Sequence, residues 1–234
     1  MATSLLRLLI ICLGTLCAAP AEAFPPYRST DAGTADPWSL EMRLGLLRLS
    51  RRAGEAVYSS PLLRVNFGLP RNVEVIGELE YRPGAGGLVD AAAGAKWVPF
   101  TGSVSLGMET LLLLPVPDAP GLGVEGTLVT TFRHPPSGFR VHLNVAGFHD
   151  ARPSLTENGW KTGVLAELKR GRFRPGLELF ARRTGSEPVQ VLAGPGIIVA
   201  LGRSDVRLGF HFGLTRAAPD VVLDLWGSTA VGLR

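Results

Sequence analysis

Hydrophobic and polar residues alternate with a period of two along most of the chain. The alternation is clearest in residues 62–82, where apolar residues such as Val65 lie next to charged ones such as Arg64. A period of two places successive side chains on opposite faces of an extended strand. A short Gly-Leu-Pro-Arg-Asn turn runs from Gly68 to Asn72, and these two residues are expected to adopt the backbone angles of a tight hairpin. The segment is therefore predicted to be a β-hairpin with one apolar face and one charged face.

The same alternation predicts an all-β protein of about twelve strands, and no amphipathic helix pattern competes with it. The strand near 189–200 is the least regular, because Gly194-Pro195-Gly196 interrupts it, and the end of the last strand is ambiguous. The predicted strands are the two of the hairpin and those near 38–50, 88–98, 103–114, 122–133, 139–148, 160–169, 173–182, 189–200, 205–214 and 221–233.

The predicted connections alternate in length along the chain. The longer ones lie near 51–57, 82–87, 115–121, 149–159, 183–188 and 215–220, and the shorter ones near 69–72, 99–102, 134–138, 170–172 and 202–205. Short periplasmic turns that alternate with longer outer loops are typical of an up-and-down antiparallel transmembrane barrel in an outer membrane. A Greek-key sandwich is not expected to give this alternation.

Aromatic residues recur at both ends of the predicted strands. Trp38, Phe67, Trp97, Phe132, Phe139 and Phe173 fall at the periplasmic ends, and Tyr58, Tyr81, Phe148 and Trp160 at the outer ends. Two aromatic girdles are the pattern of a spanning barrel, because these rings favour the headgroup level. The alternative is that aromatic residues pack at strand ends, as they do in any β-protein.

The charged faces of the strands have two possible settings. In a soluble sandwich they face water, whereas in a membrane barrel they line the lumen and form ion pairs across strands. A Lys or Arg facing lipid near the midplane would cost about 2–4 kcal/mol, so a barrel must turn these faces inward. The predicted lumen-lining residues, candidates for a structural or permeation role, are Glu41, Arg43, Arg64, Glu74, Glu78, Asp90, Lys96, Glu109, Glu125, Arg140, His142, Glu167, Arg174, Glu178, Arg207 and His211. Glu80, Lys161 and Asp224 lie on the same faces.

Residues 1–23 are predicted to be a cleaved signal peptide. Arg7 precedes an apolar run over residues 8–17, and Ala21-Glu22-Ala23 provides a small-x-small cleavage site. The run is shorter than the roughly 20 residues that span a bilayer, which argues against the alternatives of an anchor or a buried helix. Residues 24–36 are then expected to form a loose periplasmic arm and residues 37–234 the barrel. The protein is therefore expected to be exported to the outer membrane of a Gram-negative cell.

The composition of the mature chain excludes several kinds of chemistry. Both cysteines, Cys12 and Cys17, lie in the predicted signal peptide, so no disulfide or thiol nucleophile is expected. Removal of that peptide takes one of 24 basic and one of 20 acidic residues and leaves the net charge at +4. The charge is spread along the chain without a basic cluster, so no nucleic-acid partner is expected.

The sequence contains no convincing catalytic or metal site. His142-Leu143-Asn144 places an imidazole and an amide on one strand face, but no serine shares that face within the strand, so no enzyme is predicted. His149 and Asp150 could bind a metal at the rim, although a solvated loop is the better interpretation. No metal and no cofactor are expected.

Three segments of the first third of the chain resemble the outer-membrane barrels grouped with the meta-pathway phenol-degradation proteins. The matching residues are Asn66-Phe67-Gly68-Leu69, Val73-Glu74-Val75, and Asp90, Gly94 and Lys96. The resemblance implies an outer-membrane β-barrel that passes hydrophobic or aromatic compounds, and it implies no catalytic residues. One departure is the C-terminal Val-Gly-Leu-Arg, because such barrels usually end in an aromatic residue that the assembly machinery reads.

The combined prediction is a channel or transporter-like barrel for small or hydrophobic solutes. The alternatives are a structural or lipid-binding barrel without transport and, with less support, a lipid-modifying membrane hydrolase. The expected partners are outer-membrane lipid and, during biogenesis, periplasmic chaperones and the barrel-assembly machinery.

Overall fold

The computed structural model describes residues 25–85, 87–153 and 156–233, so the predicted signal peptide and Phe24 lie outside the described residues. The described residues form thirteen β-strands and one 3₁₀ turn, Pro83–Ala85. The strands are β1 (Ser39–Arg52), β2 (Glu55–Ser59), β3 (Leu62–Leu69), β4 (Val73–Arg82), β5 (Gly87–Phe100), β6 (Val104–Leu113), β7 (Gly123–His134), β8 (Phe139–Asp150), β9 (Glu157–Leu168), β10 (Phe173–Thr184), β11 (Gln190–Leu201), β12 (Ser204–Gly213) and β13 (Val221–Gly232).

Twelve of these strands close into an antiparallel up-and-down barrel. Each strand from β3 to β13 pairs with its neighbours in chain order, and β13 returns to pair with β1 from Ser39–Gly232 to Arg51–Val221. The predicted fold class is confirmed. The short strand β2 was not predicted, because it lies in a segment expected to be a connection. The strand β2 pairs with the last part of β1, from Arg48 to Arg52, whereas β3 pairs with β1 only from Leu40 to Gly45.

Short and long connections alternate as predicted. The short turns at 70–72, 101–103, 135–138, 169–172 and 202–203 all lie at the end of the barrel that also holds Ser39 and Gly232. In the first of them Arg71 and Asn72 have left-handed φ values of 66° and 56°, as tight hairpins require. Gly68, expected to share this role, instead stays in β3 with extended backbone.

Apolar side chains cover the outside of the barrel and charged side chains fill its inside. Leu128, Val145 and Leu177 are 61%, 60% and 62% exposed at the middle of their strands, whereas Lys96 and Glu178 are buried. Aromatic residues are exposed near both rims, with Trp97 and Phe132 by the short turns and Tyr81 by the long connections. This arrangement is the surface of a membrane-spanning barrel.

The prediction that Phe148 belongs to the outer aromatic girdle is wrong. Phe148 is buried in the lumen, because β8 places it on the same inward face as Ala146.

Among the described residues, no helix is long and apolar enough to cross a membrane.

The orientation of the apolar face can be tested on Val145, at the middle of β8. Val145→Lys should lower the free energy of unfolding in lipid vesicles by about 2–4 kcal/mol, because an ammonium group would face hydrocarbon near the midplane. The measurement is a denaturant titration followed by tryptophan fluorescence. Val145→Leu is the control and should change the stability little. Equal stability of the two variants would contradict the outward orientation.

The lumen and the segment that fills it

Residues 25–36, called here the inner segment, run through the lumen of the barrel. At one end the carbonyl of Pro25 accepts a hydrogen bond from Arg207 of β12, 3.1 Å away. At the other end the N–H of Ala35 donates to Glu74 of β4, at 2.8 Å. The segment is therefore not the loose arm that its polar composition suggested, since the wall of the barrel holds it along its length.

The wall binds the backbone of the inner segment through side-chain oxygens. The N–H groups of Arg28 and Ser29 donate to the two carboxylate oxygens of Glu178, at 2.9 and 2.6 Å. Thr30 and Ala32 donate to Asn144 Oδ1 at 2.7 Å and to Thr131 Oγ1 at 2.8 Å, respectively. Buried N–H groups need such acceptors, because leaving one unpaired costs about 1–3 kcal/mol. These acceptors come from three different strands.

Glycines in the wall give the inner segment room to lie close to the strands. A Cβ atom on Gly196 would lie 2.6 Å from the ring of Tyr27, and one on Gly209 would lie 2.6 Å from Pro26. A Cβ on Gly163 would collide with the hydroxyl of Ser29. The Gly194-Pro195-Gly196 sequence was expected to interrupt the strand near 189–200. It instead lies within the continuous strand β11, where Gly196 makes space for Tyr27.

Lys96 is the centre of one buried charge cluster. Its Nζ lies 3.6 Å from Glu74, 4.0 Å from Glu109 and 3.8 Å from Asp31 of the inner segment. Arg64 joins the cluster through Glu109, at 2.9 Å, and through Glu78. Both Lys96 and Asp31 are inaccessible to solvent. The inner segment thus contributes a carboxylate to the charge balance of the wall.

Two histidines of the lumen are each buried against a carboxylate. His142 bonds to Thr131 Oγ1 at 2.9 Å and to Glu167 at 3.1 Å, and Arg174 Nε lies 3.2 Å from the same carboxylate. His211 lies 2.9 Å from Glu178. Thr131, His142 and Glu167 form a hydroxyl–imidazole–carboxylate chain, but the inner segment covers it and the Thr131 hydroxyl accepts the N–H of Ala32. The chain therefore supports the inner segment.

The remaining predicted lumen residues lie on the same inward faces. Glu41 pairs with Arg43 at 2.7 Å, and Arg207 pairs with Asp205 through two hydrogen bonds of 2.6 and 2.8 Å. Arg140 is partly buried, and its Nη1 is enclosed without a hydrogen-bond partner among the described residues. Glu125 pairs with Lys161 at 2.5 Å. Thr131 and Asp31 were not predicted to have a role, because Thr131 is an uncharged residue on the inward face of β7 and Asp31 lies in the segment expected to be a loose arm.

The half of the lumen nearer the long connections contains a cavity of about 300 Å³. Arg28, Ser29 and Thr30 form part of its lining, so the inner segment separates this cavity from the end with the short turns. At the rim, the side chain of Asp90 is 52% exposed and pairs with Arg152. The unfilled part of the lumen is thus a cavity that is open toward the long connections and bounded by the inner segment at its other end.

The rim does not form the metal site considered for His149 and Asp150. His149 Nδ1 bonds to Asn158 at 2.7 Å, and Asp150 bonds to Arg152 at 2.8 and 2.9 Å. The hydrogen bond with Asp150 raises the pKa of Arg152, so this guanidinium stays charged. Within the described ranges, no group of three His, Cys, Asp or Glu side chains could hold a metal ion.

Comparison with solved structures identifies the fold. The NanC porin superimposes with a TM-score of 0.61 at 8% sequence identity, over 81% of this chain and 98% of that chain. The protein has the fold of an outer-membrane porin. A porin refined at 1.8 Å gives a TM-score of 0.45 at 12% identity, over 73% of this chain and 62% of that chain. The translocator domain of the autotransporter NalP from Neisseria meningitidis gives 0.41 at 10% identity, over 84% and 87%.

No family profile and no curated protein matches the sequence of this porin-like barrel. The resemblance to the phenol-degradation group is therefore confirmed only as far as an outer-membrane barrel. At these identities the solved structures share the fold alone.

The position of the inner segment can be tested by thiol labelling, since residues 25–234 contain no cysteine. The cysteine of Ala32→Cys should react with a small maleimide at least about tenfold more slowly than that of Arg216→Cys. The reason is that Ala32 is buried inside the barrel, whereas Arg216 lies in an exposed loop. The rate is measured on folded protein in detergent and again after denaturation. Equal rates in the folded state would show that the segment does not occupy the lumen.

The contribution of the Lys96 cluster to stability can be tested by replacing its central cation. Lys96→Met should lower the free energy of unfolding by about 3–5 kcal/mol, because it leaves buried carboxylates without their shared cation. Lys161→Met is the control, since Lys161 is partly exposed and pairs with one acid, and it should cost about 1 kcal/mol or less. Denaturant titration of both variants measures the difference. A Lys96 variant as stable as the control would contradict the role of the cluster.

Proposed function

We propose that the protein is an outer-membrane channel for small solutes, with the inner segment as its closing element. The observation that carries this proposal is the one-sided lumen: a cavity of about 300 Å³ reaches the rim, and residues 28–30 close it below. The exposed apolar belt supports residence in the outer membrane. The porin-like fold supports a channel without indicating its solute.

Passage in this proposal requires the inner segment to shift. Its N–H groups are held by Glu178, Asn144, Thr131 and Glu74, and a hydrogen bond to a charged acceptor contributes about 1.5–3 kcal/mol. Releasing even part of the segment therefore costs a few kcal/mol. A state at that energy is populated at about 0.1–10%. We expect brief and infrequent openings.

The filled lumen also favours a second candidate, a structural or lipid-binding barrel that transports nothing. In that case the inner segment would be a permanent core that replaces a hydrophobic interior. A lipid-modifying hydrolase is not proposed, because His142 lies on the lumen side under the inner segment and away from lipid.

The two candidates differ in the effect of displacing the inner segment. Gly163→Val combined with Gly196→Val places side chains where Ser29 and Tyr27 now lie, and should displace them. In planar bilayers we expect rare, small current steps from the wild type. The double variant should pass about threefold or more time-averaged current, because the closed state loses its contacts.

Gly126→Val is the matched control, because a Cβ at Gly126 meets open space and this variant should behave as the wild type. A heat-modifiable gel shift verifies that each variant is a folded barrel. Absence of current from the wild type and from the folded double variant, at any voltage, would contradict the channel and leave the structural role.

A further inference from the structure

The connections at the two ends of the barrel carry different charges. The five short turns contain five cations and no acid, whereas the connections at the opposite end contain three acids and two cations. The cations of the short turns are Arg71, Lys169, Arg170, Arg172 and Arg203, and the charged residues of the opposite end are Asp118, Glu187, Asp220, Arg152 and Arg216. The closed barrel therefore brings to one rim cations that the sequence spreads along the chain.

Three of these cations lie in the single turn between β9 and β10. This turn, called here the basic turn, consists of Lys169, Arg170, Gly171 and Arg172. Its three cationic side chains are exposed. Two backbone hydrogen bonds between Arg170 and Phe173, of 2.8 and 3.0 Å, close the turn, and Gly171 adopts a left-handed φ of 57°. Three positive charges are thus concentrated on one tight turn.

The basic turn has no acidic partner within the described part of the chain, since none of its three cations forms an ion pair there. Two acids near this end, Glu167 and Asp205, are buried in the lumen, where each pairs with an arginine. Asp36 is exposed at the same end but lies beside β3, six strands from β9 around the barrel. The turn therefore presents its positive charge to the surroundings of the barrel.

Two phenylalanines place the basic turn at the level of the lipid headgroups. Phe139 of β8 pairs with Leu168, the residue before the turn, and Phe173 begins β10 directly after it. Both rings are 43% exposed. The Arg172 guanidinium lies over the Phe173 ring, 5.0 Å from its centre. Because exposed aromatic rings mark the boundary between hydrocarbon and headgroups, the three cations lie at the depth of the lipid phosphates.

The outer surface beside the turn has a shallow apolar depression over β9. Ala166 pairs with Val141 of β8 and with Leu177 of β10, so a small side chain lies between two larger ones at the same level. Leu177 is 62% exposed, whereas Ala166 is only partly exposed. An acyl chain that lies in this depression has its headgroup end at the basic turn.

The ligand that matches both the charge and the depression is an anionic phospholipid. A phosphate accepts paired hydrogen bonds from a guanidinium group, and an ammonium group adds a point charge. Each Lys or Arg near an anionic bilayer surface contributes about fivefold to affinity. An acidic protein would match the charge of the turn and leave the depression unused. A zwitterionic lipid would match the depression, but it brings its own cation beside the phosphate.

We propose that the basic turn, together with Phe139 and Phe173, binds an anionic phospholipid of the leaflet on that side of the membrane. The three cations of the turn hold the phosphate, and one acyl chain lies over Ala166. The inference goes beyond the proposed function, because it concerns the outer surface of the barrel and holds whether or not the barrel conducts.

The experiment is native mass spectrometry of the folded protein in detergent, titrated with short-chain lipids. Dioctanoyl phosphatidylglycerol should bind at least about tenfold more tightly than dioctanoyl phosphatidylcholine, because the second lipid has the same chains without net charge. Inorganic phosphate and tetraglutamate supply negative charge without acyl chains. Each of them should bind at least about tenfold more weakly than phosphatidylglycerol, since each lacks the apolar contact.

The variant Lys169→Gln/Arg170→Gln/Arg172→Gln removes the positive charge of the basic turn. It should bind phosphatidylglycerol at least about tenfold more weakly than the wild type and bind phosphatidylcholine as the wild type does. The preference between the two lipids should therefore disappear. The heat-modifiable gel shift verifies that the variant is a folded barrel.

The matched control is Arg51→Gln/Arg52→Gln/Arg216→Gln. It removes the same charge from exposed arginines at the opposite end of the barrel and should keep the preference for phosphatidylglycerol. Equal binding of the two lipids by the wild type, or an unchanged preference in the basic-turn variant, would overturn the inference. Loss of the preference in the control as well would assign it to total charge and also overturn the site. Tighter binding of tetraglutamate than of phosphatidylglycerol would replace the lipid with an acidic protein partner.

Discussion

Carboxylate, amide and hydroxyl oxygens of the barrel wall accept the backbone N–H groups of the inner segment, and most features of the interior depend on these bonds. Glu178 receives two of them and Glu74 a third. A barrel surrounded by hydrocarbon cannot turn its charged faces outward, so these groups must be satisfied inside. The inner segment satisfies the carboxylates with N–H donors and adds Asp31 opposite Lys96. Chain and wall thus complete each other's hydrogen bonds and charges.

The bonds between the wall and the inner segment also determine which part of the lumen remains open as a cavity. Thr131 and Arg207 contact the inner segment within a few residues of the short turns, so the segment fills that end of the lumen. The cavity remains at the other end, bounded by Arg28 and by strand ends such as Asp150. The cavity is therefore bounded directly by the inner segment, so any shift of the segment would change the size of the cavity.

The sequence was sufficient to predict the barrel but not its interior. Period-two alternation, as in Val65 next to Arg64, reports which face is apolar, and the cost of charge in lipid then decides which face is outside. Alternation does not report what a polar face contacts. Phe148 follows the inward register of β8, yet its aromatic character alone suggested the girdle. The pattern also gave no reason to separate Glu178 from Glu125, although one binds the inner segment and the other pairs with a lysine.

The inner segment was missed for a physical reason. Its fold comes from side chains far away in sequence, such as Asn144, which bonds Thr30 across 114 positions, so no local propensity marks it. The glycines were a partial signal. Gly196 interrupts a strand pattern, and an isolated glycine in a strand often marks close approach of another backbone. The partner of that approach, Tyr27, could be found only once the barrel was closed around it.

Amide hydrogen exchange measures whether the wall of the barrel holds the inner segment in the lumen. The N–H groups of Ser29, Thr30, Ala32 and Ala35 are each bonded to a wall side chain. The placement of the inner segment in the lumen predicts that these amides exchange as slowly as those of neighbouring strands, about a hundredfold or more slowly than in the same peptide free in solution. Exchange of residues 27–36 at the free-peptide rate, while β8 and β10 remain protected, would contradict it.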